Sequence, residues 1–375
     1  MNSKLRVRTA MNLGIPDRVP IMCQCSIGHM LQQLDVSPAE FWFDHEVFAH
    51  GLITLRALYD FDGILISLHG HNPRWRDDVQ SRSITNEAEE VLWKNGDKTI
   101  CYFDDLPRQI ILSDQQRPRV EVFHHSDLPQ TLDYIPVSQG LHFRIDPSHT
   151  FDIFKRIVSE AGAEFSVHGE ITSPFDYFLD FFGYQEALMA LIENPEWSKQ
   201  VLLHFTTLLK PLARAMCDTG IDAIKLSSPF AGAGFISPAF YSEFVLPFER
   251  EIIQAVREKG VHIYLHTCGE IGDRLSLMLA SGTSGLECLD PPPLGNVELA
   301  DAVKTMRGKA FIKGNVDSVN LLLFGTNAEI TADAHRRIQI GKQNGGFIFS
   351  TACSIAPKVE REKVLLLREA VERYG

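Results

Sequence analysis

Eight short runs of branched and aromatic residues recur along this chain, and segments with helical punctuation separate most of them. The runs are Arg18–Cys25, Asp60–Ser67, Ala163–Glu170, Ile221–Ser228, Val261–His266, Ser284–Leu289, Lys309–Gly314 and Gly345–Thr351. Each is almost continuously apolar, as parallel strands covered on both faces must be. Ser37-Pro38-Ala39-Glu40 opens a periodic stretch that runs to about Tyr59, and Ser237-Pro238-Ala239 opens another that ends at Lys259-Gly260. In each a side-chain cap precedes a proline in the first turn. Leu188–Gly220, Asn296–Gly308, Asn327–Gly341 and Pro357–Tyr374 complete the helical set. Strand then helix, eight times over, predicts a (β/α)₈ TIM barrel. The competing doubly wound sheet is weakened because no Gly-x-Gly-x-x-Gly follows the first run.

One segment breaks the rhythm. Residues 72–147 include two β-prone arms around Asn95-Gly96, a hairpin signal. This predicts an insertion after the second strand that lies over the barrel mouth as a lid. It has no linker composition, so residues 1–375 are expected to form one domain.

Composition narrows the function. The formal charge is −12, from 36 basic and 48 acidic residues, which disfavours nucleic acid and anionic membrane surfaces as partners. No run approaches the ~18 apolar residues of a membrane-spanning helix. The opening residues lack a signal-peptide core, and seven scattered cysteines suit a reducing cytoplasm.

Barrel enzymes carry their chemistry at the C-terminal ends of the strands. Those ends hold Cys23, Cys25, His69, His71, His168, Glu170, Ser227, His266, Cys268, Glu287, Asn315 and Cys353. His266-Thr267-Cys268 sends an imidazole and a thiol to the same side, because strand periodicity is two, and Gly269 lets the chain turn away. Glu287 ends the next strand and Cys353 ends the eighth. An imidazole, two thiolates and a carboxylate at one mouth make a tetrahedral Zn²⁺ site, with Glu287 as a fourth ligand that substrate displaces. The alternative is that each cysteine is a small buried hydrophobe and His266 a core histidine.

The runs VHIYLHTCGE (261–270), GLECLD around Glu287, KGNVD (313–317) and STACS (350–354) resemble the uroporphyrinogen decarboxylase superfamily, and within it the zinc-dependent, corrinoid-linked methyltransferases. Gly14-Ile15-Pro16-Asp17-Arg18-Val19-Pro20 and the stretch from His168 to Phe175 fit the same pattern. The resemblance covers most of the chain and is weakest over 72–147. It implies methyl transfer at zinc, with the corrinoid carried by a separate partner protein. The sequence departs from true decarboxylases after the first strand: Cys23-Gln24-Cys25-Ser26-Ile27-Gly28-His29 replaces their arginine-rich segment. Without those arginines a highly anionic porphyrin has nothing to grip.

Two chemical versions follow from the resemblance. In the first, zinc polarises the oxygen of a small methylated donor, most simply a methoxylated aromatic, while Co(I) takes the methyl group. In the second, zinc holds a thiol acceptor as thiolate. The phenylalanine-rich mouth favours the first. A decarboxylase of a small acid and a non-catalytic zinc- or corrinoid-binding protein are the alternatives from other classes. His168 and Glu170 are candidates to position or protonate the leaving oxygen. His69, His71, Asn315, Phe175 and Cys25 are candidates to line the substrate site. Phe175 belongs to a cluster with Tyr177, Phe178, Phe181 and Phe182 that otherwise reads as a packed helix face. A homodimer is compatible with all of this.

Overall fold

The computed structural model describes residues 1–112, 117–138 and 140–375. Of the segment expected as a lid, residues 113–116 and 139 lie outside the described residues.

Thirteen strands occur among the described residues. They are β1 (Gly63–Ile66), β2 (Val79–Ile84), β3 (Ala88–Trp93), β4 (Lys98–Tyr102), β5 (Arg108–Ile110), β6 (Tyr134–Ser138), β7 (Leu141–Arg144), β8 (Ser166–Thr172), β9 (Ala223–Ser227), β10 (His262–Thr267), β11 (Gly285–Cys288), β12 (Phe311–Val316) and β13 (Phe347–Thr351). Seven form one parallel sheet in the order β1-β8-β9-β10-β11-β12-β13. The remaining place is held by the first apolar run. It bridges β13 in parallel at Ile21–Phe349, and Cys25 bridges Ile355. On its other side, Asp62 N donates to Ile21 O at 2.8 Å. The architecture is the expected TIM barrel, closed by an irregular first strand.

Asp62 fastens that closure. Its carboxylate is fully buried and accepts from Arg6 at 2.7 Å, from Arg18 at 2.8 and 3.0 Å, and from Ile21 N at 2.9 Å. A short extended segment with few ladder bonds is thus held by one side chain and two guanidinium groups.

The helical readings need three adjustments. The first is at Leu188–Gly220, where one helix, Tyr184–Glu193, ends at Asn194 and a second, Pro195–Cys217, starts with a proline in its first turn. The stretch beginning at Ser37 is two helices, Pro38–Phe43 and His45–Tyr59, because Asp44 leaves the helical region and caps the second one through Glu46 N and Val47 N. The stretch beginning at Ser237 includes a π-helical turn, Tyr241–Val245, before the helix Leu246–Arg257. The aromatic cluster lies on the helix Pro174–Phe182.

Between β1 and β8, strands β2 to β5 form an antiparallel sheet, and β6 pairs with β7. The Asn95-Gly96 hairpin joins β3 to β4: Gly96 has φ +91°, and Trp93 N donates to Asp97 O at 2.9 Å. No helix among the described residues is long and apolar enough to cross a membrane.

Asp62→Ala would leave the half-buried Arg18 without its carboxylate and the buried Arg6 with Asp17 alone at the barrel closure. Breaking a buried ion pair from one side costs about 3–5 kcal/mol. We expect a urea midpoint lowered accordingly with an unchanged slope, as read by circular dichroism.

Candidate metal centre and mouth cavity

β10 delivers His266, and Cys268 follows it by two residues at the strand's end. Cys353 follows β13 across the barrel. Cys268 Sγ lies 3.3 Å from His266 Nε2 and 3.9 Å from Cys353 Sγ. The three donor atoms all fall within 4.8 Å of one another. In a tetrahedral zinc site with ordinary bond lengths, neighbouring donors stand roughly 3.6–3.8 Å apart. The three side chains therefore fit zinc and leave one corner of the tetrahedron for another ligand.

Glu287 differs from the expected fourth ligand. Its Oε2 sits 2.8 Å from His266 Nδ1 and 3.6 Å from Lys225 Nζ, and its Oε1 accepts from Lys313. It is absent from the donor group that a metal would join. A carboxylate on the far nitrogen of a ligating histidine fixes the tautomer and turns Nε2 toward the metal. Burial works against its ionisation, but Lys313, Lys225 and His266 hold the carboxyl well below the usual range.

Lys225 and Lys313, each 1% exposed, were not anticipated. Lys225 also reaches Glu170 Oε1 at 3.2 Å and Gln24 Oε1 at 2.6 Å. Burial alone would lower its pKa, yet Glu170 and Glu287 raise it, so it stays protonated. Their signal was present in the sequence: a lysine in the middle of an otherwise buried parallel strand requires an acidic partner.

A second group, Cys268, Cys288 and Asp290, shares one thiol with the first. Cys288 donates to Asp290 Oδ2 at 3.2 Å, and Gly269 N donates to the same oxygen at 2.7 Å. Hydrogen bonds from Cys288 and Cys353 hold the Cys268 thiol well below its usual range. Burial, reinforced by Cys268, pushes Cys288 well above it. Cys288 was missed because alternation sends the residue after Glu287 to the opposite face. Left-handed backbone at Cys288 (φ +78°) and Leu289 (φ +55°) overrides that alternation.

None of His266, Cys268 and Cys353 lines the nearby mouth cavity, of about 240 Å³, but their neighbours reach it. Ser354, next to Cys353, and Ser227, in register with His266, form part of its wall. Glu170, His69 and Cys25 line it, and so do Leu106, Ile135, Pro136 and Val137 from the insertion. Glu170 Oε2 is buried without a partner, as is His69 Nδ1. Burial lowers the His69 pKa to about 4, so its ring is neutral.

Four candidates lie elsewhere. His168 is fully buried, 3.0 Å from Ser166 Oγ and 3.1 Å from Tyr264 OH, and burial lowers its pKa to about 3. It belongs to the barrel interior and is not on the cavity wall. Asn315 is fully buried and serves as an anchor: it donates to Leu289 O at 2.8 Å and accepts from Arg337 at 2.5 Å. Phe175, 1% exposed, turns into the core, while its neighbours Asp176 and Tyr177 line the cavity. His71 faces a different cavity, between Phe48 and Phe143.

Asp176 was also not anticipated. Ser173 Oγ donates to its Oδ2 at 2.6 Å, and its Oδ1 has no partner. Burial, with Glu249 adding to it, raises its pKa to about 7. Burial likewise raises Glu249, which accepts from Tyr241 OH at 2.8 Å, to about 7. Helix spacing placed Asp176 among aromatics, and that masked its position on the wall.

The sequence model of the family described as Uroporphyrinogen decarboxylase (URO-D) matches residues 114–374. The chain is 26% identical over 382 residues to the methylcobamide:CoM methyltransferase MtbA of Methanosarcina mazei, covering 99% of this chain and 98% of that enzyme. A 26% identical match to the MtbA of Methanosarcina acetivorans covers 58% of this chain and spans 62% of that enzyme's length. A solved methyltransferase from Methanosarcina mazei superposes with a TM-score of 0.73 at 19% identity, over 100% of this chain and 99% of the other. The last of these speaks for the fold.

Two outcomes follow. Protein purified without chelator should carry one zinc per chain by elemental analysis, and Cys353→Ala should lose most of it. Asp176 has a raised folded pKa, so its contribution to stability is full below the unfolded value near 4 and is lost as pH rises through about 7. Asp176→Asn should therefore lose less stability than the parent between pH 5 and pH 7 in parallel urea titrations.

Proposed function

The chain belongs to the uroporphyrinogen decarboxylase family, and from that premise we propose that it is a zinc-dependent methyltransferase working with a corrinoid carried by a partner protein. The convergence of His266, Cys268 and Cys353 beside the mouth cavity carries the reading. The full-length similarity to an enzyme named for methylcobamide supports the corrinoid. The absence of arginine from Cys23–His29 argues against a decarboxylase of anionic porphyrins. The seven free cysteines fit a cytoplasmic enzyme.

The substrate side is a methylated donor, most simply a methoxylated aromatic. The cavity is smaller than most drug-sized sites, and Tyr177, Tyr184, Phe230, Leu209 and Leu212 give it aromatic and aliphatic walls. Among the described residues, no lysine or arginine lines it, while Glu170, Asp176 and Asp180 do. Such a wall suits an uncharged donor better than an anionic thiol.

Zinc held by His266, Cys268 and Cys353 would supply Lewis acidity at the donor's oxygen. Glu287 keeps Nδ1 of His266 engaged so that Nε2 remains the donor atom. Asp176, protonated up to about pH 7, can give a proton to the leaving oxygen, and Glu170 can accept a hydrogen bond from the substrate through Oε2. The insertion acts as the lid, and its Leu106, Ile135 and Val137 exclude water from the reacting groups.

A second reading, methyl transfer from methyl-corrinoid to a thiol, is favoured by the name of the Methanosarcina mazei relative. The two separate experimentally. Zinc-loaded protein with a Co(I) corrinoid protein should form methyl-cobalt, seen by absorbance, and release the demethylated phenol from some member of a methoxylated aromatic panel. Methylation of a simple thiol by methyl-corrinoid, with no turnover of any methoxy compound, would establish the thiol reaction instead. No methyl transfer in either direction would leave a binding protein.

A further inference from the structure

Beside the first metal centre the chain gathers a second set of donors. Cys268 Sγ, Cys288 Sγ and a carboxylate oxygen of Asp290 all lie within 4.8 Å of one another. An ion touches only its donors, so these mutual distances decide whether it fits. Cys288 Sγ stands 3.2 Å from Asp290 Oδ2, close to the roughly 3.5 Å between a thiolate and a carboxylate oxygen on one tetrahedral zinc. Cys288 is fully buried and Asp290 is 4% exposed, while Cys268 is the partly exposed member past which an ion can arrive.

The main chain holds these donors in place. Cys288 closes β11, in register with Thr267 and Gly314. The left-handed turn at Cys288 and Leu289 is pinned by Asn315 Nδ2, which donates to Leu289 O at 2.8 Å. Asp290 is fixed at both ends: Val297 N donates to its main-chain oxygen at 3.1 Å, and Gly269 N donates to its Oδ2 at 2.7 Å. Donors fixed in advance cost little ordering when an ion binds.

Charge supplies an independent observation. A buried carboxylate is ordinarily paired with a cation or bound to a metal. Among the described residues, no cationic side chain pairs with Asp290: its Oδ2 takes two neutral donors, Gly269 N–H and the Cys288 thiol, and its Oδ1 is buried without a partner. The buried lysines of this interior are committed, Lys225 to Glu170 and Glu287, and Lys313 to Glu287. Once zinc is held by His266, Cys268 and Cys353, the two thiolates cancel its charge and the charge of Asp290 remains over. A second divalent ion bound with loss of the Cys288 proton removes that remainder, because four positive charges then face three thiolates and one carboxylate.

We propose that Cys268, Cys288 and Asp290 bind a second Zn²⁺, with the Cys268 thiolate bridging the two ions. Two soft thiolates select zinc over Mg²⁺ or Ca²⁺. As the zinc–sulfur bond to Cys288 forms, the thiol proton passes to solvent and the carboxylate exchanges that hydrogen bond for the ion. The second ion has a single thiolate of its own and shares the other, so it is the weaker of the two: purified protein keeps one zinc and takes the second from added metal. A thiolate shared by two ions donates less to each, so the second ion raises the Lewis acidity of the first. The proposal rests on the first metal centre and not on the methyl-transfer reaction.

The one-zinc protein, kept reduced under argon, can be titrated with Zn²⁺ by calorimetry. One further equivalent should bind saturably. Cys288→Ala and Asp290→Asn, each confirmed folded by circular dichroism, should lose that equivalent while elemental analysis still finds the first zinc. With Co(II) substituted for zinc, thiolate-to-cobalt absorbance should grow with each of two equivalents, and the second should quench the paramagnetic resonance of the first through the shared sulfur. If one variant fails to fold, the other decides. Binding that stops at the first zinc, a second ion retained in a folded variant, or two cobalt ions with independent resonances would each overturn the proposal and leave the first centre standing. Protein that holds no zinc at all after purification would instead remove both centres.

Discussion

Glu287 is the group on which the interior of this barrel depends. Two lysines, Lys225 and Lys313, occupy strand positions from which water is excluded, and both turn to its carboxylate. Glu170 supplies the second negative charge through Lys225. The four side chains sum to zero, which allows ionised groups to persist so deep in a fold. The same carboxylate aims His266. Zinc with two thiolates and a neutral imidazole is also uncharged in total, so a metal can join the site without adding net charge to the interior. Packing, electrostatics and ligand orientation therefore meet in one residue, which accounts for its being held away from the donor group.

The barrel was legible because its signal is redundant. Eight apolar runs each sit on or beside a strand position, and no single run has to be right for the period to be seen. The first run is the exception in kind: it pairs only through isolated bridges and relies on Asp62, which no hydrophobic pattern could reveal. Helix boundaries were legible where a cap and a proline coincide, as at Ser37 and Ser237. The break at Asp44 was hidden inside continuous periodicity, because a capping aspartate looks like any polar residue on a helix surface.

At the candidate site, residue type and strand-end position sufficed to foresee that His266, Cys268 and Cys353 converge, since closed-barrel geometry brings strand ends together whatever the details. Direction within a strand end was less legible. Glu170 reaches the cavity while His168, one strand period earlier, sits a layer deeper among Ser166 and Tyr264. Asn315 carries a chemically versatile side chain, and both ends of it are committed to Leu289 and Arg337. Cys288 depends on a left-handed backbone that non-glycine residues rarely adopt, so alternation gave the wrong face.

The two histidines after β1 show how one backbone feature divides the mouth region. In a regular strand, residues two apart point the same way, and His69 and His71 would act as a pair. Gly70 has φ +80°, which reverses the chain direction between them. A Cβ there would lie 2.4 Å from Ile145 Cγ2, and Gly70 O accepts from Asp146 N at 2.7 Å, so the turn is locked against the end of the insertion. His69 then lines the mouth cavity and His71 lines a second one. A three-residue turn is thus the partition between two spaces of different character, one lined by Glu170, Asp176 and Asp180, the other by aromatic rings together with Lys94, Asp97 and Lys98. Both rings are neutral through burial, so the partition itself carries no charge.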